Sequence, residues 1–396
     1  MATSGETLGP PRTSVGLIGW LRKNLFNSWF NSILTVVALW FVYAAGSKLV
    51  LWVLTEARWQ VITENLRLFM LGPFPPDQAW RVWPIVAMLG ALFGLSAGVF
   101  GGTVRVFAAY VAGAYLVLAL LPFNLEERAW FAGSLILLAA GYLPSRGRAR
   151  WRGVVLALWL LAFLVTLVLL LGFGGSTWLP PIGTDQWGGL LLTFMLAIVS
   201  IVISFPLGVL LALGRRSSLP AVKIFSILYI ELVRGVPLIT ILFMAQIMVP
   251  LFLPAGLRID NVVRAMVAFT LFTAAYEAEN VRGGLQAIPS GQVEAAQALG
   301  LNEVFVTLFI VLPQALRLVI PTTVGLFISL FKDTTLATIV ALLEILGVGR
   351  SVLAQPQFLG YQTEVYAFIA AVFFVFCYAM SYASYRIEAA LGVGKR

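Results

Sequence analysis

The 396-residue sequence contains no histidine and only one cysteine. Without histidine it lacks the side chain that most often holds a metal or moves a proton near neutral pH, so no metal site and no catalytic residue is expected. Cys377 stands alone inside an apolar run, which excludes an intramolecular disulfide. Charge is scarce as well. Charged residues make up 11% of the chain against 60% hydrophobic, with a mean hydropathy of +0.95, too little polar surface for a water-soluble globule. The net charge of +9 comes from short basic clusters between apolar runs, the pattern of topology determinants, so no nucleic-acid partner is expected. A phosphate-cradling G-x4-G-K-[ST] loop is also missing. Gly392-Val393-Gly394-Lys395-Arg396 lacks the first glycine, the final hydroxyl and a preceding strand, so this chain is expected to carry no ATPase site and no cofactor of its own.

What remains is a polytopic, all-α membrane protein. A spanning helix needs about 20 mostly apolar residues, and ten segments qualify. The first five are Ser32 to Leu54, Trp83 to Phe100, Val104 to Leu121, Ala129 to Leu143 and Gly153 to Phe173. The second five are Trp187 to Leu213, Ile224 to Leu253, Asn261 to Arg282, Pro321 to Ile345 and Val365 to Tyr385. Ala129 to Leu143 is short, but counting it as a span puts Arg146, Arg148, Arg150 and Arg152 on the side of Arg12, Arg22 and Lys23, as the positive-inside rule requires. The same count puts Arg215, Arg216, Lys223 and both termini in the cytoplasm. Met1 to Pro11 has no apolar core and reads as a flexible tail, not a cleaved signal. The expected organisation is a cytoplasmic tail over 1–29, a transmembrane extension over 30–174, a proline-containing outer linker and a second module over 185–391. Glu56 to Arg81 reads as the longest outer connection.

One stretch breaks the apolar pattern. Glu294 to Pro313 reads EAAQALGLNEVFVTLFIVLP, and its polar residues cost several kcal/mol in hydrocarbon, so it belongs outside the bilayer. Strong helix formers run to Leu299, Gly300 can take the left-handed conformation that ends a helix, and Pro313 interrupts the next turn. A short helix, a break and a second amphipathic piece are expected. Small side chains at Ala295, Ala296 and Ala298 would let a partner backbone approach, with Glu294 and Gln297 meeting its polar groups.

Glu294-Ala295-Ala296, Gly300, Ile310, Leu312 and Pro313 fill every fixed position of E-A-A-x3-G-x9-I-x-L-P. This resembles the docking motif of membrane subunits of ATP-binding-cassette importers. The loop that carries it is placed at 284–320. From Leu190 to Leu391 the chain resembles their five-helix (type I) permease core, and within it the polar amino-acid subgroup. That likeness rests on Trp187-Gly188-Gly189, on Glu231-Leu232-Val233-Arg234-Gly235-Val236-Pro237 and on Leu330-Phe331-Lys332-Asp333-Thr334-Thr335-Leu336. Glu64-Asn65-Leu66-Arg67-Leu68-Phe69 and Arg22-Lys23-Asn24-Leu25-Phe26 are similar to the extended subunits of general L-amino-acid importers. The resemblance implies a bacterial inner-membrane protein and a second membrane subunit, homologous or identical. It also implies cytoplasmic ATP-binding subunits holding ATP and Mg²⁺, and an extracytoplasmic amino-acid-binding protein. A secondary transporter would need inverted repeats, which do not stand out, and a membrane enzyme would need a clustered catalytic set.

Charges within apolar segments mark candidate pathway residues. Counted from Pro321, Lys332 and Asp333 fall roughly 16 to 18 Å along the fourth core helix, near the bilayer midplane. Lys332, Asp333, Thr334 and Glu277 are therefore candidates for substrate contact, and the alternative is a buried ion-pair network with Glu277, Glu279 or Glu231. Glu231 and Arg234, three apart, share a helix face and are expected to pair structurally. Gly235 and Pro237 after them weaken the helix there, whether as a static kink or as a bend used in transport.

Overall fold

Hydrocarbon offers backbone groups no partners, so so apolar a chain must satisfy its donors and acceptors internally, as helices do. The computed structural model, which describes residues 16–121, 123–254 and 256–392, is helical nearly throughout; among the described residues the only extended pairing is an isolated bridge between Gly189 and Glu344. The chain forms two compact units, Met1–Gln60 and Val61–Arg396.

In the first unit, α1 (Gly16–Asn24) is followed by α2 (Trp29–Leu51) and a π-helical turn, Trp52–Glu56. Ser28 caps α2 by accepting the Asn31 amide at 3.2 Å, and the Thr35 hydroxyl donates to Leu25 O at 2.8 Å, fixing the turn between the helices. No residue of α2 is buried, and most of its apolar side chains are exposed within the unit. The expected tail, Met1 to Pro11, lies outside the described residues.

The second unit opens with α3 (Gln60–Glu64), α4 (Leu66–Leu71) and a 3₁₀ turn, Pro76–Arg81. Four long helices follow: α5 (Val82–Phe100), α6 (Gly102–Leu120), α7 (Leu125–Ser145) and α8 (Arg152–Leu171). Helices in lipid associate where small residues let backbones approach. Here Gly90, Gly94 and Gly98 of α5 lie one turn apart against the α7 backbone at Ser134, Leu138 and Tyr142, and a Cβ on Gly94 would run into Leu138 O. Arg81, fully buried, ties the linker to this bundle, donating to Gln78 Oε1 at 2.9 Å, Leu169 O at 3.2 Å and Pro180 O at 2.7 Å.

The remaining helices are α9 (Gly189–Arg215), α10 (Pro220–Arg234), α11 (Leu238–Phe243), α12 (Val249–Phe252) and α13 (Asn261–Gln286). After them come α14 (Ser290–Ala298), α15 (Glu303–Phe305), α16 (Leu312–Asp333), α17 (Ile345–Leu353) and α18 (Gln362–Leu391). One apolar core joins Leu192 and Leu196 of α9 to Ala265 and Phe269 of α13, with Leu330 of α16 and Phe74 from upstream. A second lies around Ala212, Ala278, Val281, Ala315 and Val319, at the other end of α9.

All ten expected segments are helical, but the spans need correcting. Among the described residues, seven helices are long and apolar enough to cross a membrane, or eight if α10 and α11–α12 count as one broken span. The segments over 129–143 and 261–282 belong to α7 and α13, helices of 21 and 26 residues that are not among these seven. The span expected over 224–253 bends by 105° at Gly235–Pro237, where proline removes a backbone donor. The span expected over 321–345 instead runs over Glu303–Val340, with α16 (Leu312–Asp333) holding Pro321 in its interior and a 3₁₀ turn, Thr334–Val340, leading to Ala341 at φ 62°. The boundary expected at 174–185 falls inside the second unit.

Candidate coupling site

The docking stretch forms the hairpin between α13 and α16. Gln286 ends α13, Pro289 precedes α14, and α14 stops at Gly300, whose φ is 81°. The Gly300 amide donates to Gln297 O at 2.9 Å and the Leu301 amide to Ala296 O at 3.2 Å, the paired bonds of a Schellman end. Asn302 then caps α15 by accepting the Phe305 amide at 3.0 Å, and a π-helical stretch, Val306–Val311, runs into Leu312 and Pro313.

Glu294, Ala295, Gln297, Ala298 and Gly300 are exposed, and Leu299 beside them is 84% exposed. Ala296 is turned the other way: it is buried in the second apolar core with Val306 and Val311, against which Ile310 and Leu312 pack. The expectation that Ala296 faces a partner is corrected accordingly. With most of α14 pointing outward, Ala296, together with the half-buried Val293, anchors the helix to its own bundle.

Above the hairpin, charges converge on Glu279 of α13. Its carboxylate pairs with Arg282 on the same helix, lies 3.6 Å from Arg215 at the end of α9 and 3.5 Å from Arg234 at the end of α10. Arg215 also pairs with Glu231 at 2.9 Å, and Arg282 donates to Gln286 Oε1 at 2.7 Å, at the edge of the docking stretch. The expected Glu231–Arg234 pair is therefore replaced: Glu231 meets Arg215, while Arg234 meets Glu279 and stacks on Tyr276 at 5.5 Å. Arg215, read from sequence only as a topology signal, and Arg282 belong to this network; the i, i+3 spacing of Glu279 and Arg282 was its one legible sign.

Glu277, fully buried, accepts the Thr323 hydroxyl of α16 at 2.8 Å and the Asn280 amide at 3.3 Å, with Gly208 of α9 pressed against its side chain. Among the described residues it forms no salt bridge, with Lys332 or any other cation. Lys332 and Asp333 are the last residues of α16, about 30 Å along it from Leu312, because the helix starts upstream of Pro321. Lys332 is exposed and Asp333 half-buried, and among the described residues neither forms a salt bridge. Thr334 is buried and donates to Phe331 O at 2.7 Å. The candidate pathway residues thus separate: Lys332, Asp333 and Thr334 stand at the far end of α16, and Glu277 stands nearer the hairpin. A cavity of about 370 Å³ between α9 and α16 has Phe205, Pro313, Arg317 and Thr323 in its wall, which places the docking motif's proline and Glu277's partner on one surface.

Residues 204–391 match the family described as binding-protein-dependent transport system inner membrane component. The inner membrane amino-acid ABC transporter permease protein YhdY of Escherichia coli (strain K12) is 37% identical over 405 residues, covering 98% of this chain and 97% of that protein. The chain belongs to the amino-acid ABC transporter permeases. The permease is also 38% identical over 420 residues to the glutamate/glutamine/aspartate/asparagine transport system permease protein BztC of Rhodobacter capsulatus, with 97% and 96% covered. The probable glutamine ABC transporter permease protein GlnP of Bacillus subtilis (strain 168) is shorter, with 34% identity over 51% of this chain and 91% of its own. The helices upstream of the core are thus shared with full-length relatives. The type I permease core expected over 185–391 contains the family match, and the reading as a multi-pass inner-membrane subunit for amino-acid transport stands over that of a secondary transporter.

Proposed function

We propose that this permease takes part in ATP-driven uptake of polar L-amino acids, and that its docking hairpin receives the force of ATP hydrolysis from separate cytoplasmic subunits. One observation carries the reading: α14 shows Glu294 and Ala295 outward, with Gly300 exposed just past its end, while Ala296 and Val293 fasten it to the core that holds Val306 and Val311. A helix held on one face and bare on the other can be pushed by a partner and pass the displacement to α13 and α16. The names of BztC and GlnP, which speak of glutamate, glutamine, aspartate and asparagine, support polar substrates.

In this reading the chain has no ATPase site, and ATP with Mg²⁺ binds the partner ATPases. A second membrane subunit, homologous or identical, completes the pathway, and an extracytoplasmic amino-acid-binding protein delivers substrate. Both termini and the hairpin are cytoplasmic; Lys395 and Arg396 lie outside the described residues. ATP draws the ATPases together and the hairpin moves. Glu277–Thr323 keeps α13 with α16, and the Glu279 network carries the motion through Arg215 and Arg234 to the ends of α9 and α10, so that the pathway switches sides. Lys332, Asp333 and Thr334 are candidates to meet substrate at the far end.

The test is to purify the chain with the subunits that accompany it, identify these by mass spectrometry, and measure uptake of labelled glutamate and glutamine into vesicles. Uptake that requires ATP and the binding protein is expected. Uptake driven by an ion gradient without ATP would overturn the proposal.

A further inference from the structure

Between Glu56 and Arg81 the sequence reads as an outer connection, yet part of it is built into the permease core. Phe69 of α4 is fully buried, its ring edge-on to Phe368 of α18 at 5.2 Å and in contact range of Gly349 of α17. Leu71 O accepts the Gly188 amide at 3.1 Å. Gly72, at φ 64°, sits so close to Gly188 that a Cβ on either would strike the other's backbone, and a Cβ on Gly189 would strike Phe69 O. Phe74, also fully buried, lies in the same apolar core as Trp187, Leu192 and Leu342, and Arg67 donates to its carbonyl at 2.7 Å.

The other side of this contact is the turn after α16. The Gly189 amide donates to Leu343 O at 2.8 Å, and the Ile345 amide to the Thr193 hydroxyl at 3.2 Å. Glu344, with no exposed surface, caps α17 by accepting the Leu346 and Gly347 amides, each at 2.9 Å, and also accepts the Thr338 hydroxyl. Three stretches distant in sequence, 66–74, 188–193 and 338–349, therefore interlock through backbone bonds and glycine contacts that tolerate no slippage. They lie at the end of α9 about 40 Å along it from Arg215, where Phe194 of α9 stacks at 5.7 Å on Phe331, the residue before Lys332.

We propose that residues 66–74 act as a positioning clamp of the transport pathway: they hold the first turn of α9 to the turn that follows Lys332, so that this end moves as one body while the helices rearrange at the hairpin end. Phe69, Gly72 and Phe74 touch no transported molecule; they act by fixing where Lys332 to Thr334 stand. The upstream extension is then a working part of the permease.

The inference rests on the transport reading, and the experiment separates the two. In a Cys377→Ser background, spin labels at Pro76→Cys and Ser351→Cys, both exposed positions flanking the clamp, are placed in the assembled complex, and their distance is measured by pulsed electron paramagnetic resonance without nucleotide and with ATP trapped. One distance, unchanged between the two states, is expected; a shifted or second distance overturns the clamp. Phe69→Ala is expected to lower uptake between roughly ten- and a hundredfold while ATP hydrolysis continues, as misplacement far from the chemistry does; unchanged uptake overturns it too. A Phe69→Ala complex that fails to assemble leaves the decision to the label distances. Absence of ATP-dependent uptake by the unmodified complex would instead overturn the transport reading itself.

Discussion

The Thr323 hydroxyl donates to the Glu277 carboxylate at 2.8 Å where Glu277 has no exposed surface at all. The two residues stand on α16 and α13, the helices that leave and enter the docking hairpin. A buried carboxylate holds its partner firmly because losing it leaves an unsatisfied group in apolar surroundings. The hairpin's two legs are thereby clasped near its base and displace together.

Thr323→Val keeps the shape of the side chain and removes the donor. It should cost about 1 to 3 kcal/mol, the penalty for a buried acceptor deprived of its partner, and lower the melting temperature of the purified complex. Thr323→Ser, which keeps the hydroxyl, should melt close to the unmodified protein. Equal melting of the valine variant and the unmodified protein would show that the bond carries no stability.

Glu279→Gln should leave the exposed hairpin face intact and the ATPase attached, since Glu279 lies on α13 among Arg215, Arg234 and Arg282. Without the shared carboxylate, the ends of α9 and α10 follow the hairpin less faithfully. The amount of ATP consumed per amino acid imported should rise, measured by parallel hydrolysis and uptake in vesicles. Hydrolysis and uptake falling in proportion would mark Glu279 as a merely structural residue.

The sequence made some of this legible and hid the rest for definable reasons. Gly300 was readable because strong helix formers followed by glycine leave few other ways to end a helix, and the left-handed φ is found there. The break at Gly235–Pro237 was readable from the lost backbone donor. The partner of Glu231 was not: i, i+3 spacing pointed to Arg234, but Arg215, sixteen positions upstream on another helix, takes it. The start of α16 was misplaced because Pro321, a residue that suits a first turn, lies inside the helix, which adds nine residues ahead of it and leaves Lys332 and Asp333 as its last two. Gly72 against Gly188 had no sequence signal, because close approach between stretches over a hundred residues apart shows only in the fold.

Membrane orientation can be read with single cysteines in a Cys377→Ser background. Ser145 is buried, so Arg148→Cys in the exposed basic turn serves that loop, with Ser290→Cys at the start of α14. Both should react with impermeant maleimide only from the cytoplasmic side. Reaction of either in intact cells would reverse the orientation derived from the arginine cluster.

Lys332 is exposed at the end of α16 without an ion pair among the described residues, which leaves its ammonium free for a substrate carboxylate. Lys332→Met should reduce uptake by roughly tenfold or more, as removal of a charge-assisted hydrogen bond does, with assembly and basal ATP hydrolysis preserved. Loss of the assembled complex would assign Lys332 a structural role instead.

The account turns on the docking hairpin, and pulldown of the ATPase by Gly300→Val and Glu294→Lys variants, read beside amino-acid uptake, tests it most directly. A Cβ at Gly300 meets open space, so the substitution acts through its φ of 81°, at a cost of about 1 kcal/mol or more, by re-aiming the end of α14 without disturbing the core. Both variants should insert and pair with their membrane partner, yet retain less ATPase and import no amino acid. Normal ATPase retention with uptake at the unmodified rate in both would contradict the coupling role.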